Sequence, residues 1–489
     1  MQLQPRLSPN NHSGLIALGD GTKARHDQAI AVGKNSVASG DRSLAIGSTA
    51  QASGSSAISI GTSTEAKNTG SVAVGNKAKS KGIDDTALGA QSHAIGGYST
   101  AVGTRAYTGA DGAVALGTSA AGKGQRATAV GSSSYAGGMT GTAVGYHAIT
   151  TDDARHSTAL GTGTVVSGID SGGWSAAVHG NPSAFNNANR SYIGGTGNYA
   201  IGNKNVVGNL TTNSVAFGNN IKLGADGATL NSVNSGSTGE SRREGVTYTA
   251  AKKLENAVAI GNESGVSGDN GVATGYKAVA SGVNATASGS GAQATAENAT
   301  ASGSGAQATE KNAAASGSGA KAEAENATAM GSEANASESG GVALGAKSTA
   351  DRAARALGAA ADETATAANG KVYAMPDADA ADAAASATVK GDLGAVSVGD
   401  AGNTRQIINV AAGSEDSDAV NVAQLKAVAK KANGTTIHNH SHVTRVTQVV
   451  NNTKVSAGKN IQVRKNGDDY NVALADDITL NSVTTGDRA

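Results

Sequence analysis

The chain contains no cysteine, only 4 Pro, and few aromatic residues: 2 Phe, 1 Trp and 10 Tyr in 489 positions. Each shortage excludes something. Without Cys there is no disulfide scaffold, no thiolate zinc site and no cysteine nucleophile. With so little Pro and no Gly-X-Y period, a collagen triple helix is out. Charge of one sign is missing too, since 38 basic residues balance 38 acidic ones. That balance removes the electrostatic case for nucleic acid as a partner. No apolar run reaches the roughly 18 residues of a membrane-spanning helix, and the N-terminus, Met1 to Pro9, has no apolar signal core. What is abundant is small: 69 Gly, with Ala, Ser and Thr. Side chains of that size cannot fill the space between thick layers, which argues against large-core enzyme folds.

The small residues are periodic. Gly recurs every 14 residues at 19, 33, 47, 61, 75, 89, 103, 117, 131 and 145, and again at 261, 275, 289, 303, 317, 331 and 345. Two residues before it stands Ala in nearly every copy, as at Ala31, Ala73, Ala115 and Ala259. In the first block the flanking positions are mostly aliphatic, as in Ile30 and Val32 or Val72 and Val74. A weaker Gly often follows seven residues later, at Gly40, Gly54, Gly82 and Gly96. Two turn signals per period predict two short strands per coil of a solenoid. Alternation puts Val72 and Val74 on one face and Ala73 on the other. Neither face carries charge. The Ala face is expected to line a thin roll interior, and the aliphatic face to be buried outside it by other copies in a closed oligomer. At about 4.8 Å per coil, the nine steps from Gly19 to Gly145 make a rod of roughly 43 Å.

The second block differs on the oligomer face. Thr274, Ser288, Ser302 and Ser316 replace the aliphatics, before Met330 and Leu344 restore them. Less apolar surface is buried there, so a weaker, hydrated axis with faster hydrogen exchange than around Val74 is expected between 274 and 317. Between 146 and 256 the period breaks. This stretch holds Trp174, Phe185 and Phe217, and a loop-like run at 234–245. Trp174 is either an exposed binding residue or, more in keeping with its type, a plug in a satellite core beneath the insertion.

Further on, Asp418 opens a run of good helix formers. Val422, Leu425, Ala429 and Ala432 follow coiled-coil spacing, as do Val443, Val446, Val450 and Thr453. The end of the chain alternates through Ile461 and Val463 into Asn466-Gly467, then Tyr470, Val472 and Leu474, which predicts a hairpin.

The 14-residue Ala-aliphatic-Gly coils, joined to Arg405-Gln-Ile-Ile-Asn-Val-Ala-Ala-Gly413 and Asp418-Ala-Val-Asn-Val-Ala-Gln-Leu425, resemble the head and neck of YadA-like trimeric autotransporter adhesins. The resemblance covers roughly residues 15–430, and the segment Asp477 to Gly486 is similar to stalk pieces that join successive domains. It implies an all-β, left-handed parallel β-roll in a homotrimer, then a neck, a short trimeric coiled coil and a β-rich stalk segment. The divisions so implied are a tail at 1–14, roll at 15–161, an irregular insertion at 162–256, roll at 257–346, an irregular extension at 347–404, neck at 405–426, coiled coil at 427–453 and connector at 454–489. Signal peptide and membrane anchor would lie outside this piece. The implied function is attachment, at the surface of a Gram-negative bacterium, to host matrix proteins (collagen, laminin, fibronectin) or cells. Self-association with copies on neighbouring cells, as in biofilm, is implied as well.

The resemblance also names residues. Val72 and Val74 would face the trimer axis, and Asp418, Asn421, Gln424 and Leu425 would form the neck. In some relatives collagen binding is attributed to Asn-Ser-Val-Ala-Ile-Gly-x-x-Ser motifs. The nearest copies here are Asn213–Gly218 and Asn256–Ser264, with Phe217 and Ala257 as departures. Ligand-facing candidates are thus Asn213, Ser214, Asn256 and Ser264, with Trp174 beside them.

No catalytic constellation emerges. The acidic pairs Asp84-Asp85, Asp152-Asp153 and Asp476-Asp477 read as solvated turns, because adjacent strand residues point apart. His438, His440 and His442 would bring nine imidazoles together on a threefold axis, enough for an anion or transition metal. Lacking a partnering acid or Cys, they read better as a polar entry to the coil. Asn-x-Thr triplets at Asn284, Asn298 and Asn326 match a glycosylation pattern but are what this composition produces. No cofactor is expected. The competing function is a β-solenoid that binds or processes polysaccharide, which would need carboxylates and aromatic sugar platforms on one face.

Overall fold

The computed structural model describes residues 13–174, 190–233, 242–353, 393–415, 417–433, 461–466 and 469–474. Residues 13–353 with 393–404 belong to one compact unit, and those from 405 onward to another.

The first unit is a parallel β-solenoid. Each 14-residue coil contributes a three-residue strand, such as Val72–Val74, to one wall and a two-residue strand, such as Lys79–Ser80, to the other. Each strand pairs in parallel with its equivalent one coil away, so Val72, Ala73 and Val74 lie opposite Thr86, Ala87 and Leu88. The first wall is a sheet of 22 strands. Two strands per coil and the Ala interior are as the repeat predicts: Ala31, Ala45, Ala73, Ala87 and Ala101 are all at 0% exposure, whereas Val72 and Val74 on the outer face are half-buried.

Close packing of backbone on backbone explains the strict Gly. Gly75 has φ +127, and a Cβ there would come within 2.5 Å of the Gly89 carbonyl oxygen in the next coil. An L-residue pays twice, in conformation and in overlap. The turns also place one residue per half-coil in the left-handed region, most of them not Gly, including Lys77, Asp84, Gln91 and Tyr98.

The two blocks are filled differently. From 285 to 336 every inward position is Ala: Ala285, Ala287, Ala292 and Ala294 form one coil, and the same set repeats through Ala336. In the first block hydroxyls share the interior, at Ser36, Ser43, Ser59, Thr64, Ser71 and Ser80.

Asp85 is also inside, at 0% exposure, so the reading of Asp84-Asp85 as a solvated turn holds for Asp84 alone. The alternation that separates adjacent side chains sends Asp85 inward. Its carboxylate accepts from Gly82 N (2.6 Å), Ser99 N (2.8 Å) and Ser99 Oγ (2.8 Å). Burial nonetheless pushes its carboxyl above the ordinary range.

The ladder runs on through the interrupted region. Thr158–Leu160 pairs with Gly172–Trp174, that strand with Tyr199–Ile201, and that with Val215–Phe217, which meets Val258–Ile260. The period fails in sequence because the turns there carry extra residues while the walls continue. After Lys222–Leu223 the chain leaves the roll as an antiparallel hairpin, Gly227–Val233 with Arg243–Thr249, and returns at Leu254–Glu255.

In the second unit a helix spans Val422–Asn433, and Ile461–Asn466 pairs antiparallel with Asp469–Leu474. The predicted hairpin is present. The His438, His440 and His442 cluster, the later heptad positions and Asp476-Asp477 lie outside the described residues.

Candidate adhesive surface

Three features mark the outside of the roll. The first is an apolar stripe on the three-residue wall. Ile46, Leu88, Leu116, Ile260 and Leu344 stand 37–46% exposed in one column, and no described residue of the chain buries them. Between 288 and 316 the same column reads Ser288, Ser302 and Ser316, and the column beside it Thr286, Thr300 and Ala314.

The second feature is the hairpin, which lies as a strap along the opposite wall. There the outward column, one residue per coil, reads Tyr107, Ala121, Tyr135, Ile149, Val165, Tyr192 and Val206. Ala228, Leu230, Val246 and Tyr248 of the strap pack on that column. A satellite core therefore does lie beneath the insertion, with Tyr107, Tyr135 and Tyr192 in it at 4%, 0% and 1% exposure. Trp174 occupies the other wall between Leu160 and Ile201, and its side chain falls outside the described residues.

Polar contacts pin the far end of the strap. Lys123 Nζ donates to Arg242 O (2.9 Å), and the Tyr135 hydroxyl donates to Asp152 and to Arg242 O (3.2 Å). Arg242 donates to Ser133 O (3.3 Å) and pairs at 2.6 Å with Glu244, whose side chain is 1% exposed. Arg243 reaches Asp152 at 3.4 Å. Asp152 is thus a strap anchor rather than a solvated turn residue. Tyr248, bonded to Ser167 at 2.7 Å, and Tyr135 both have phenol pKa values pushed up by burial. Burial and the nearby Arg190 and Arg242 guanidinium groups bring His147 down to about 4.

The third feature is an asparagine ladder. Asn256, Asn270, Asn284, Asn298, Asn312 and Asn326 all occupy left-handed turn positions, which Asn tolerates well. Each Nδ2 donates to the next Oδ1 at 2.9–3.0 Å. The ladder stops at Asn326 because the following position is Gly340. The amide nitrogens of Asn284 and Asn298, read in sequence as parts of acceptor triplets, are engaged in it.

This geometry sorts the proposed ligand residues. Asn213 and Asn256 are left-handed corner residues, and Asn256 is exposed as the first rung. Ser214 and Ser264 face the interior at 0% and 1% exposure; Ser214 Oγ accepts from Ala257 N at 2.9 Å, and Ser264 Oγ donates to Gly261 O at 2.9 Å. Buried hydroxyls of this kind pin turns and cannot contact a surface ligand, a correction to their place beside Asn213 and Asn256. The strap and the ladder were not foreseen. Their signals were the 14-residue spacing of Tyr107, Ala121, Tyr135 and Ile149 and of the six Asn.

The neck residues act locally, by capping. Asn421 Oδ1 accepts from Gln424 N (3.1 Å), while Gln424 Oε1 accepts from Asn421 N (3.2 Å), a reciprocal cap at the start of the helix. Gln424 also grips Gly413, accepting from its N at 3.1 Å and donating to its O at 2.9 Å. Asn421 Nδ2 donates to Val410 O at 3.2 Å. Asp418 accepts from Ser414 N and Glu415 N (2.9 and 3.1 Å), and these bonds lower its carboxyl pKa. Val422, Leu425 and Val428 stand 63–66% exposed along the helix.

Among the described residues no group of three or more His, Cys, Asp or Glu could hold a metal, and no helix is long and apolar enough to cross a membrane.

Comparison with known proteins agrees with the geometry. The family model for the YadA head domain repeat matches nine stretches within residues 16–148 and 255–348, the last two overlapping, and that for the coiled stalk of trimeric autotransporter adhesin matches 406–448. The autotransporter adhesin BadA of Bartonella henselae is 45% identical over 102 residues, 19% of this chain and 3% of that protein. The trimeric autotransporter adhesin AtaA of Acinetobacter sp. (strain Tol 5) is 43% identical over 115 residues, 23% of this chain. The match spans only 3% of the length of each relative. The crystal structure of the collagen-binding domain of Yersinia adhesin YadA is 28% identical, covering 37% of this chain and 82% of that one, with a TM-score of 0.26. At that score the superposition adds nothing to the assignment. Coils, neck caps and family models converge, and the chain belongs to the trimeric autotransporter adhesins.

Proposed function

We propose that this chain is a passenger segment that projects from a Gram-negative outer membrane as a homotrimer and attaches the cell to host matrix proteins or host cells, and to copies of itself. The observation that carries the reading is the aliphatic column of the three-residue wall, with Leu88, Leu116, Ile260 and Leu344 exposed in the single chain. An apolar face that long is stable in water only against another surface. Val72 and Val74 are its representatives at the trimer axis, and the exposed Val422, Leu425 and Val428 would continue the association along the stalk. The strap lies on the opposite wall and faces outward in such a trimer, so it is the favoured ligand surface, together with the exposed corners at Asn213 and Asn256.

Adhesin membership carries a non-enzymatic role, and the described carboxylates support it. Asp85 is enclosed in the roll and Asp152 is held by Tyr135 and Arg243, so neither is placed for acid–base work on a polymer.

The test is solid-phase binding to collagens, laminin, fibronectin and intact cells, comparing verified trimer with a form monomerised by Val72→Lys and Val74→Lys. Trimer-dependent binding to at least one surface is expected, because weak contacts gain from multivalency. Equal binding by both forms, or none by the trimer, refutes the reading.

A further inference from the structure

Tyr98 is the one tyrosine among the described residues that the turns force into the left-handed region, with φ +56, and it is 67% exposed. Neighbouring turns fill the same position with Asp84, Gly112 and Arg126, so the fold does not require an aromatic ring there. A bulky ring in a conformation that disfavours it, and in solvent, has no packing explanation.

The corner beneath it is held firmly. Tyr98 N donates to Ile83 O at 2.8 Å, and the buried Asp85 bonds to Gly82 N on one coil and to Ser99 N on the next. Asp85 is therefore a positioning residue that clamps the two turns carrying Ile83 and Tyr98. Beside the ring, Gly97 N donates to Asp111 Oδ1 at 2.9 Å, which orients the carboxylate toward the Tyr98 turn. Arg126, two coils on from Tyr98, leans back over the intervening turn: a Cβ on Gly112 would meet its Cγ at 3.4 Å. Asp84 leans away, over Gly70.

Successive turns of this corner thus carry an exposed aromatic ring, an acceptor and a donor, with the side-chain-free Gly112 between Tyr98 and Arg126. We propose that Tyr98, Asp111 and Arg126 form a carbohydrate subsite that stacks one neutral pyranose ring on Tyr98. Asp111 accepts from ring hydroxyls, and Arg126 donates to them. A cationic peptide would meet Arg126 and an anion would meet Asp111, so a neutral polyol suits the pair better than either. The proposal deepens the adhesin reading by naming a ligand class, and it rests on that reading only for the multivalency that makes a weak subsite useful.

The test is saturation-transfer NMR on the full trimer with methyl glycosides of glucose, galactose, mannose and N-acetylglucosamine, and with hexalysine as a competing class. Transfer to at least one glycoside is expected, lost on Tyr98→Ala and retained on Tyr98→Phe, with affinity at least about fivefold weaker on Asp111→Asn. Tyr98→Gly relieves the backbone, so it should raise the melting temperature while abolishing transfer, a split that a purely structural tyrosine would not give. No Tyr98-dependent transfer to any of the four glycosides, or dependence seen only with hexalysine, overturns the subsite. Cell attachment that survives such a result leaves the adhesin reading standing, whereas its absence in the wild-type trimer counts against that reading.

Discussion

The guanidinium of Arg242 lies 4.9 Å from the centre of the Tyr135 ring, across 107 residues of sequence. The contact closes the far end of the strap over the tyrosine column, and the same guanidinium neutralises the enclosed Glu244. Arg242→Ala removes the stacked cation and leaves Glu244 buried without its partner, a loss of about 3 kcal/mol to the strap. Hydrogen exchange should rise sharply across 227–249 while the far-ultraviolet signal of the roll is unchanged. Melting of the whole roll in this variant would show that the strap is integral to the coils rather than laid upon them.

Gly75 tests the backbone packing. Gly75→Ala places a methyl 2.5 Å from the Gly89 carbonyl at φ +127, and should cost about 2–4 kcal/mol. Gly265, where nothing lies within 4 Å of an added Cβ, is the control: Gly265→Ala should move the melting temperature by no more than a degree or two. Equal sensitivity at the two sites would refute the account of the period.

Asp85 gives the roll an unusual pH response. A carboxyl whose pKa rises on folding binds protons more readily folded than unfolded. Its contribution to stability is therefore greatest below the unfolded value near 4 and declines as pH rises through the folded value. The wild type should gain on Asp85→Asn as pH falls from 7 toward 4, read as a widening difference in melting temperature. A difference that shrinks on acidification contradicts the assignment.

The outward face and the roll interior trade roles between the blocks. Around Val74 the aliphatics point outward and hydroxyls share the interior, whereas from 285 to 336 the interior is all Ala and the outward positions from 286 to 316 are Thr and Ser apart from Ala314. In the proposed trimer, exchange should be faster between 274 and 317 than around Val74. In the Val72→Lys, Val74→Lys monomer the order should reverse, because the second block keeps its Ala interior and its asparagine ladder. An unchanged order in the monomer would rule out this division of labour.

Much of the fold was legible because a solenoid writes its geometry once per coil. Gly at 14-residue spacing marks the backbone contacts, Ala two residues earlier marks the interior, and Asn466-Gly467 marks the hairpin. Single residues were harder to read. Asp84 and Asp85 look alike in sequence, and only the register of the coil sends one into solvent and the other into the core. Ser214 and Ser264 sit in a motif that suggests a ligand, yet their alternation phase buries them. The strap is faint in sequence because each coil contributes just one residue to the column beneath it. The left-handed turn positions, which give Asn270 and Tyr98 their exposure, leave a signal only when several coils are aligned.

The asparagine ladder and the uniform Ala interior make the coils between 285 and 336 interchangeable. Any one of them meets its neighbours through the same four methyl groups, the same Gly carbonyl and the same amide rung. Removing or duplicating 14 residues there joins surfaces that already match, and changes the reach of the rod by one strand spacing of about 4.8 Å. Removing seven would set a three-residue strand against a two-residue one and misalign everything beyond. The segment is thus a ruler with a fixed graduation, whose length can change by whole coils without redesigning either end.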